Sequence, residues 1–165
     1  MQPSPGITAS ICNLRPKSRG HIELQSSDPN VAPKIYANYL DNEKDIKHMI
    51  EGVNKIREVF NTPTMKNLGA AEIQPGSIYQ TDDEIDSFIR NESLSVYHPI
   101  GTCKMGNGTE CVVDQNLKVK GIEGLRVADA SIFPSIISGN TNATCNVIGA
   151  NCADLILNNN LSQSS

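Results

Sequence analysis

The chain has 165 residues, of which 38% are hydrophobic and 19% charged, and its formal net charge is −4. This composition is typical of a globular, polar protein rather than a disordered chain. The acidity and the lack of a run rich in lysine and arginine exclude a nucleic-acid surface, which needs clustered cations. No apolar run reaches the roughly 20 residues of a transmembrane helix, and the opening residues do not resemble a signal peptide.

Cysteine spacing predicts no metal site. None of the five cysteines belongs to a Cys-x-x-Cys pair or stands near two histidines at zinc spacing. The odd number leaves at least one thiol free within a monomer. Four sequons for N-glycosylation, beginning at Asn91, Asn107, Asn142 and Asn160, are compatible with a secreted or extracellular location. Because such matches also arise by chance, they do not require that location.

The first half of the chain predicts one strand and two helices. His21 to Gln25 is typical of a strand, in a region of sheet and loop. From Asn42 to Phe60, apolar residues recur every three or four positions, which predicts an amphipathic helix that Asn61-Thr-Pro then ends. Thr81-Asp-Asp-Glu is a capping box, and it predicts a second, short helix that ends near Asn91.

The second half predicts three short β segments and a long final helix. The segments are residues 111–114, 117–119 and 125–128, and turn residues separate them. Residues 142–157 are apolar around most of the helix circumference, so we expect this helix to be buried on several sides. These short strands offer too little surface for that, which indicates that the chain is part of a larger fold.

Two places could carry chemistry, and each has two interpretations. His98 lies between a helix and a Gly-rich loop, where it could be functional or simply hydrogen-bonded in a turn. Residues 138–144 precede the final helix, and they could be an ordinary capped helix start or an anion site at the positive end of the helix dipole. His21 and His48 have ordinary polar neighbours, which favours a structural role.

Four blocks of sequence resemble the glucose-methanol-choline (GMC) oxidoreductases. They occur in the order typical of the C-terminal part of that family, and weaker similarity extends upstream to about residue 12. The blocks are Tyr97–Gly106, Val112–Asp114, Gly124–Ser131 and Ser138–Thr144. The resemblance implies a flavoprotein that oxidises an alcohol or sugar CH–OH group by hydride transfer to FAD. The reduced FAD would then pass its electrons to oxygen, a quinone or another acceptor.

The resemblance also implies roles for individual residues. His98 matches the active-site acid/base, and Asn140 matches a second position that is His or Asn in different members. Asn there resembles the choline dehydrogenase pattern and that of many flavin-dependent glucose dehydrogenases. Asp129 and Ala130 are expected at the end of a strand against the flavin. Thr141 and Asn142 are expected to open the final helix toward the pyrimidine edge of the isoalloxazine ring.

The Gly-x-Gly-x-x-Gly turn that binds dinucleotides does not occur in this chain. Family members carry it at their N-terminus, so we interpret the chain as an α+β fragment, the C-terminal part of a two-domain GMC fold. Residues 12–96 are expected to complete the substrate domain, with its sheet and helices, and residues 97–157 to return to the FAD domain. Residues 1–11 and 158–165 are expected to be flexible. The alternative is a noncatalytic binding or interaction module that retains the motifs for packing.

Overall fold

A computed structural model describes the backbone of residues 6–162 and the side chains of residues 6–158. Residues 1–5 and 163–165, which belong to the two ends predicted to be flexible, lie outside the described residues. The fold mixes helices with a small sheet, which confirms the predicted α+β class. The elements are β1 (His21–Glu23), β2 (Lys34–Tyr36), α1 (Glu43–Phe60), α2 (Pro63–Lys66), α3 (Asp82–Glu92), a 3-10 turn (Ala130–Ile132) and α4 (Asn142–Ser162), with β1 and β2 paired in a two-stranded sheet.

The described residues fall into two compact units. One contains the residues up to Gly20 together with Ile35–Leu94, and the other contains His21–Lys34 together with the residues from Ser95 onward. The boundary between Leu94 and Ser95 lies two residues before the division that the sequence predicts, between residues 96 and 97. That these portions correspond to a substrate domain and an FAD domain remains a prediction.

Two capped helices form the first unit. The side chain of Asn42 accepts a hydrogen bond from the amide of Lys44 and so begins α1. At α3 both bonds of the predicted capping box are present, since Thr81 accepts from the amide of Glu84 and the Glu84 carboxylate accepts from the amide of Thr81. The amides of Thr81 and Gln80, which both donate to the Glu84 carboxylate, lower the pKa of that carboxyl. The predicted helices are therefore confirmed, and the short α2 is an addition.

The core of the first unit lies between α1 and α3. Its buried members are Ile46 and Val53 of α1 and Ile85 and Ile89 of α3, and Ile85 is fully inaccessible to solvent. The rings of Tyr79 and Phe88 pack beside it with their centroids 5.3 Å apart. The spacings of three and four residues read from the sequence thus correspond to the buried helix faces.

A buried carboxylate fixes the segment before β1. Asp45, only 2% exposed, accepts hydrogen bonds from the Asn13 side chain, from the amides of Lys17 and Ser18 and from the Ser18 hydroxyl. Burial alone would raise the pKa of Asp45, but these hydrogen bonds outweigh it, so the pKa lies below its ordinary value. The segment is therefore held to the first turn of α1 by an ionised group.

The second unit has its own core, with less regular structure than the sequence predicts. Its buried members come from loops and from α4, namely Val113, Leu117, Ile132, Phe133 and Cys152. The prediction of three short strands was wrong, because residues 105–126 form isolated bridges instead, at Met105–Val113, Val113–Val119 and Lys118–Arg126. Each apolar segment is too short to extend a ladder before a turn residue follows.

Helix α4 extends further than predicted and is buried on one side only. Its helical backbone continues from residue 157 to Ser162, where the sequence is polar. Cys145, Ile148, Cys152 and Leu155 face the core of the second unit. The expected burial on several sides does not occur in this chain, because Val147 remains 58% exposed. None of the helices in the described part of the chain combines the length and apolar character needed to cross a bilayer.

Candidate active site

His98 lies in a constrained stretch of backbone. It is half-buried, and within the described residues its imidazole has no hydrogen-bond partner. The preceding residue, Tyr97, adopts a φ of +60° with a ring that is 85% exposed, an unfavourable conformation for an aromatic residue. The following Pro99 restricts His98 to extended backbone. The backbone at His98 is therefore restricted from both sides.

The chain after His98 is fixed by backbone hydrogen bonds to the 3-10 turn. The amides of Cys103 and Met105 donate to the carbonyls of Ser131 and Ile132, at 3.0 and 2.8 Å. Gly101 begins this pairing at a φ of +85°, where an added Cβ would lie 3.4 Å from the carbonyl oxygen of Phe133. Glycine suits this position because the left-handed conformation strains any other L-residue.

Asp129 and Ala130 form the start of the 3-10 turn rather than the end of a strand. The Asp129 carboxylate accepts hydrogen bonds from the amide and the hydroxyl of Ser131, so it caps the turn. The expected strand was wrong, because the preceding residues make only the bridge at Arg126. Asp129 is exposed and Ala130 is half-buried against the core. Contact of either residue with a flavin remains a prediction.

Asn140, Thr141 and Asn142 lie at the start of α4. Asn140 and Asn142 are exposed and Thr141 is half-buried. The first intrahelical hydrogen bond runs from the amide of Cys145 to the carbonyl of Thr141, so the amides before Cys145 lack an acceptor within the helix. The first turn contains no acidic residue. Such a helix start attracts negative charge through its free amides and its dipole.

One core anchors the three segments that carry the candidate residues. Ile100 follows His98 by two residues, Ala130 belongs to the turn and Ile137 precedes Asn140 by three residues, and all three pack against the same buried cluster. His98 and Asn140 make no hydrogen bond with each other among the described residues. The structure thus anchors the predicted residues in one unit, while their roles remain predictions.

Arg126 is a residue that the sequence reasoning missed. It is half-buried, and its Nε donates to the carbonyl of Asn116 at 3.2 Å, but its Nη2 is shielded from solvent without an acceptor in the described structure. A buried guanidinium N–H without an acceptor costs about 1–3 kcal/mol. The sequence does contain one signal for this residue. Arg126 is the single charged residue of the apolar segment 125–128, and an isolated cation in such a segment needs a partner.

Two shallow depressions on this unit contain neither His98 nor Asn140. One, of about 430 Å³, lies beneath α4 and is lined by residues such as Met105, Leu117 and Leu155. The other, of about 630 Å³, is lined by Asp114, by residues 118–126 and by Ile156 of α4. The candidate residues therefore stand outside both depressions of the described part of the chain.

The cysteines and the charges add little to the candidate site. All five cysteines are free thiols, with Cys111 and Cys152 buried, and no group of three or more His, Cys, Asp or Glu among the described residues could hold a metal ion. In the second unit the pKa of Glu110 is lowered, first by a backbone amide and then by Lys104. No acidic side chain interacts with the imidazole of His98 within the described residues.

Comparison with known proteins shows the family. The family model described as GMC oxidoreductase matches residues 16–149. An alcohol dehydrogenase [acceptor] from Pseudomonas putida is 45% identical over 152 residues, which are 92% of this chain and 28% of that protein. An oxygen-dependent choline dehydrogenase from Cronobacter sakazakii is 43% identical over 92% of this chain and 27% of its own length. The chain thus spans little more than a quarter of the curated relatives that it matches.

Solved structures of similar proteins agree. An FAD-dependent oxidoreductase from Chaetomium thermophilum superposes with a TM-score of 0.83 and 35% identity, over 89% of this chain and 26% of that one. A fungal aryl-alcohol oxidase gives a TM-score of 0.80 at 35% identity, over 90% of this chain and 25% of that one. With a family model matched over most of its length and relatives above 40% identity, the chain belongs to the GMC oxidoreductase family.

Proposed function

We propose that this chain contributes the proton-handling residues to an FAD-dependent oxidation of a CH–OH group, in an enzyme whose remaining part binds most of the flavin. The main support is His98, a half-buried imidazole without a hydrogen-bond partner in the described chain, held between a strained Tyr97 and a proline. A half-buried imidazole in ordinary structural use would have its nitrogens satisfied by the protein, whereas an exposed one such as His48 can hydrogen-bond to water. One left free in this way is available to a substrate.

In the proposed reaction, His98 accepts the proton of the substrate hydroxyl. The O–H bond breaks, an N–H bond forms on the imidazole, and the oxygen becomes a carbonyl as the carbon loses a hydride. Bound FAD would accept that hydride and become reduced. The imidazole must be neutral to accept the proton.

Asn140 would orient the same oxygen. Its side-chain amide carries two N–H donors and does not titrate, so it can donate a hydrogen bond to the substrate oxygen in both states. Its exposed position immediately before α4 leaves the amide free to meet a ligand. In this division of labour, His98 moves the proton and Asn140 holds the oxygen.

The start of α4 suits the electron-accepting end of a flavin. The first turn offers amides without helical acceptors and no carboxylate to repel negative charge. Thr141 and Asn142 would hold this end, and Asp129 and Ala130 would line the ring from the 3-10 turn. The chain has no turn for the pyrophosphate, so its own contribution to FAD affinity should be small.

The substrate class follows from the relatives. Their names cover an alcohol dehydrogenase, a choline dehydrogenase and an aryl-alcohol oxidase. We therefore propose a small alcohol as the substrate, with a sugar, which the family resemblance also implies, as the alternative. One of these names specifies oxygen and another leaves the acceptor unspecified, so the proposed second half-reaction reoxidises the flavin with oxygen, a quinone or another acceptor.

The test uses a single-chain chimera, in which this chain replaces the matched segment of the Pseudomonas putida relative. Alcohol-dependent dye reduction is measured under saturating substrate. We expect His98→Ala to lower kcat by about 10²–10⁴-fold and Asn140→Ala by about 10²-fold. His48→Ala is the matched control, because His48 is exposed on α1 in the other unit. Full activity of the His98 variant would overturn the proposed role.

The chain alone provides a second test. Purified without a partner, it should retain little FAD, as measured by flavin absorbance after desalting, and it should not turn over alcohols. Stoichiometric FAD together with turnover would show that the whole site lies within these 165 residues, contrary to the proposal.

A further inference from the structure

The loop of residues 106–111 is fixed to the second unit at two glycines. The amide of Gly106 donates a hydrogen bond to the carbonyl of Val113 at 3.1 Å. The carbonyl of Gly108 accepts a hydrogen bond from Lys120 Nζ at 2.8 Å. Residues 106–108 are bends outside any helix or strand. The loop therefore has a defined course, although no regular ladder holds the residue between the two glycines.

Asn107 lies between these glycines, and its side chain is unused. It is exposed, and within the described residues neither its side-chain amide nor the backbone N–H of Gly108 has a hydrogen-bond partner. Asn107-Gly108 is also the only Asn-Gly pair in the sequence. Because glycine has no Cβ, the nitrogen of Gly108 is open to the side chain of the residue before it. An electrophilic amide carbon and an unhindered backbone nitrogen are thus adjacent and free.

We propose that Asn107 is a site of spontaneous deamidation, in which its side chain closes on the backbone amide of Gly108. A bond forms between the Gly108 nitrogen and Asn107 Cγ, and the bond from Cγ to Nδ2 breaks. Nδ2 leaves as ammonia together with the proton of the Gly108 amide, which gives a cyclic imide. Solvent water then opens the imide. Cleavage at Cγ leaves aspartate, and cleavage at the backbone carbonyl carbon leaves isoaspartate, so a carboxylate replaces the neutral amide in both products.

The surroundings of Asn107 favour this closure over that of the other asparagines. Gly106 precedes it at a φ of +152°, so no Cβ on either side restricts its rotation. Asn142 and Asn146 differ in both respects, because they belong to α4 and are followed by Ala143 and Val147. Their backbone is held in a helix, and a Cβ shields the next nitrogen. We therefore expect the modification to be confined to Asn107.

The test follows the purified chain at neutral pH and 37 °C by peptide mass spectrometry. The chain is produced in bacteria, so that no glycan occupies the sequon that begins at Asn107. The peptide with Asn107 should gain about 1 Da as –OH replaces –NH₂, and an isoaspartyl methyltransferase should label it. Its rate should exceed that of every other asparagine by more than about tenfold. A rate at Asn107 equal to that at Asn142 would overturn the proposal.

A second measurement asks whether the folded loop permits the reaction. The rate at Asn107 is compared with and without urea that unfolds the chain, as checked by circular dichroism. Since no hydrogen bond protects the reacting groups, the two rates should agree within a few fold. A folded rate more than about tenfold slower would show that the fold shields Asn107, contrary to the proposal. If the chain alone is not folded, the same comparison on the single-chain chimera decides by the same criterion.

One substitution tests the role of the glycine. A Cβ on Gly108 would lie 2.3 Å from Glu110 Oε2, but that atom is the far end of a side chain that is 65% exposed, so it can move aside. Gly108→Ala should therefore fold normally and slow deamidation by more than about tenfold. Gly149→Ala is the matched control, because a Cβ there meets nothing within 4 Å and the loop stays unchanged. An undiminished rate in Gly108→Ala would contradict the attack by the Gly108 nitrogen.

Discussion

Replacing Asp45 should remove most of the tie between α1 and the segment before β1. The carboxylate accepts hydrogen bonds from four donors, at 3.1 Å from Asn13 Nδ2, 2.8 and 2.7 Å from the amides of Lys17 and Ser18, and 2.6 Å from the Ser18 hydroxyl. A hydrogen bond to a charged group contributes about 1.5–3 kcal/mol, and the contributions are not additive. Since Asp45→Ala also leaves two amides without an acceptor, we expect a loss of about 3–5 kcal/mol in the free energy of unfolding.

The assay is urea denaturation followed by circular dichroism at neutral pH, with Asp41→Asn as the control. Asp41 is exposed just before α1, so its substitution should change the stability by no more than about 0.5 kcal/mol. Because the pKa of Asp45 is lower in the folded than in the unfolded chain, its contribution is complete above the unfolded pKa of about 3.9 and disappears as the pH falls through the folded value. A difference between wild type and Asp45→Ala that is small, or that does not shrink in acid, would refute the reasoning.

Three other substitutions test the fold in the same denaturation assay. Thr81→Ala should cost about 1 kcal/mol, because it removes the hydroxyl that caps α3, and Thr81→Ser should retain most of that stability. Gly101→Ala should cost about 1–2 kcal/mol because of its φ of +85°, whereas an unchanged midpoint would show that the loop relaxes. Ile85→Ala should cost about 2–5 kcal/mol, because Ile85 is fully buried between α1 and α3; a smaller loss than for Val59→Ala would contradict that packing.

The helices were predictable because their signals are local. The period of apolar residues in α1 and the reciprocal caps of α3 depend on neighbours within four positions, so the sequence contains the whole argument. The segments between residues 105 and 128 are different. Their β-like composition predicted strands, but the pairing there depends on long-range contacts and on turns that interrupt each ladder after a single bridge.

The sequence motifs indicate which residues to consider for the candidate site, but they do not predict how the backbone around those residues is arranged. Four ordered motifs indicate His98 and Asn140, but nothing local reveals that the backbone after His98 pairs with the 3-10 turn. Asp129 was expected at the end of a strand and instead caps that turn, because its carboxylate accepts a hydrogen bond from the backbone amide two residues later. The sequence shows a single arginine in the apolar segment 125–128, but whether its Nη2 finds an acceptor depends on the packing of the chain.

The length of α4 separates its far end from the candidate active site. Leu157 stands 15 residues after Asn142, a separation of about 22 Å along the helix axis at 1.5 Å per residue. A charge at Leu157 therefore acts far from the proposed proton transfer at His98 and Asn140. Leu157→Asp should therefore leave the turnover of the chimera per bound flavin unchanged. His98→Ala should lower that turnover, and it removes no hydrogen bond or ion pair from the described chain.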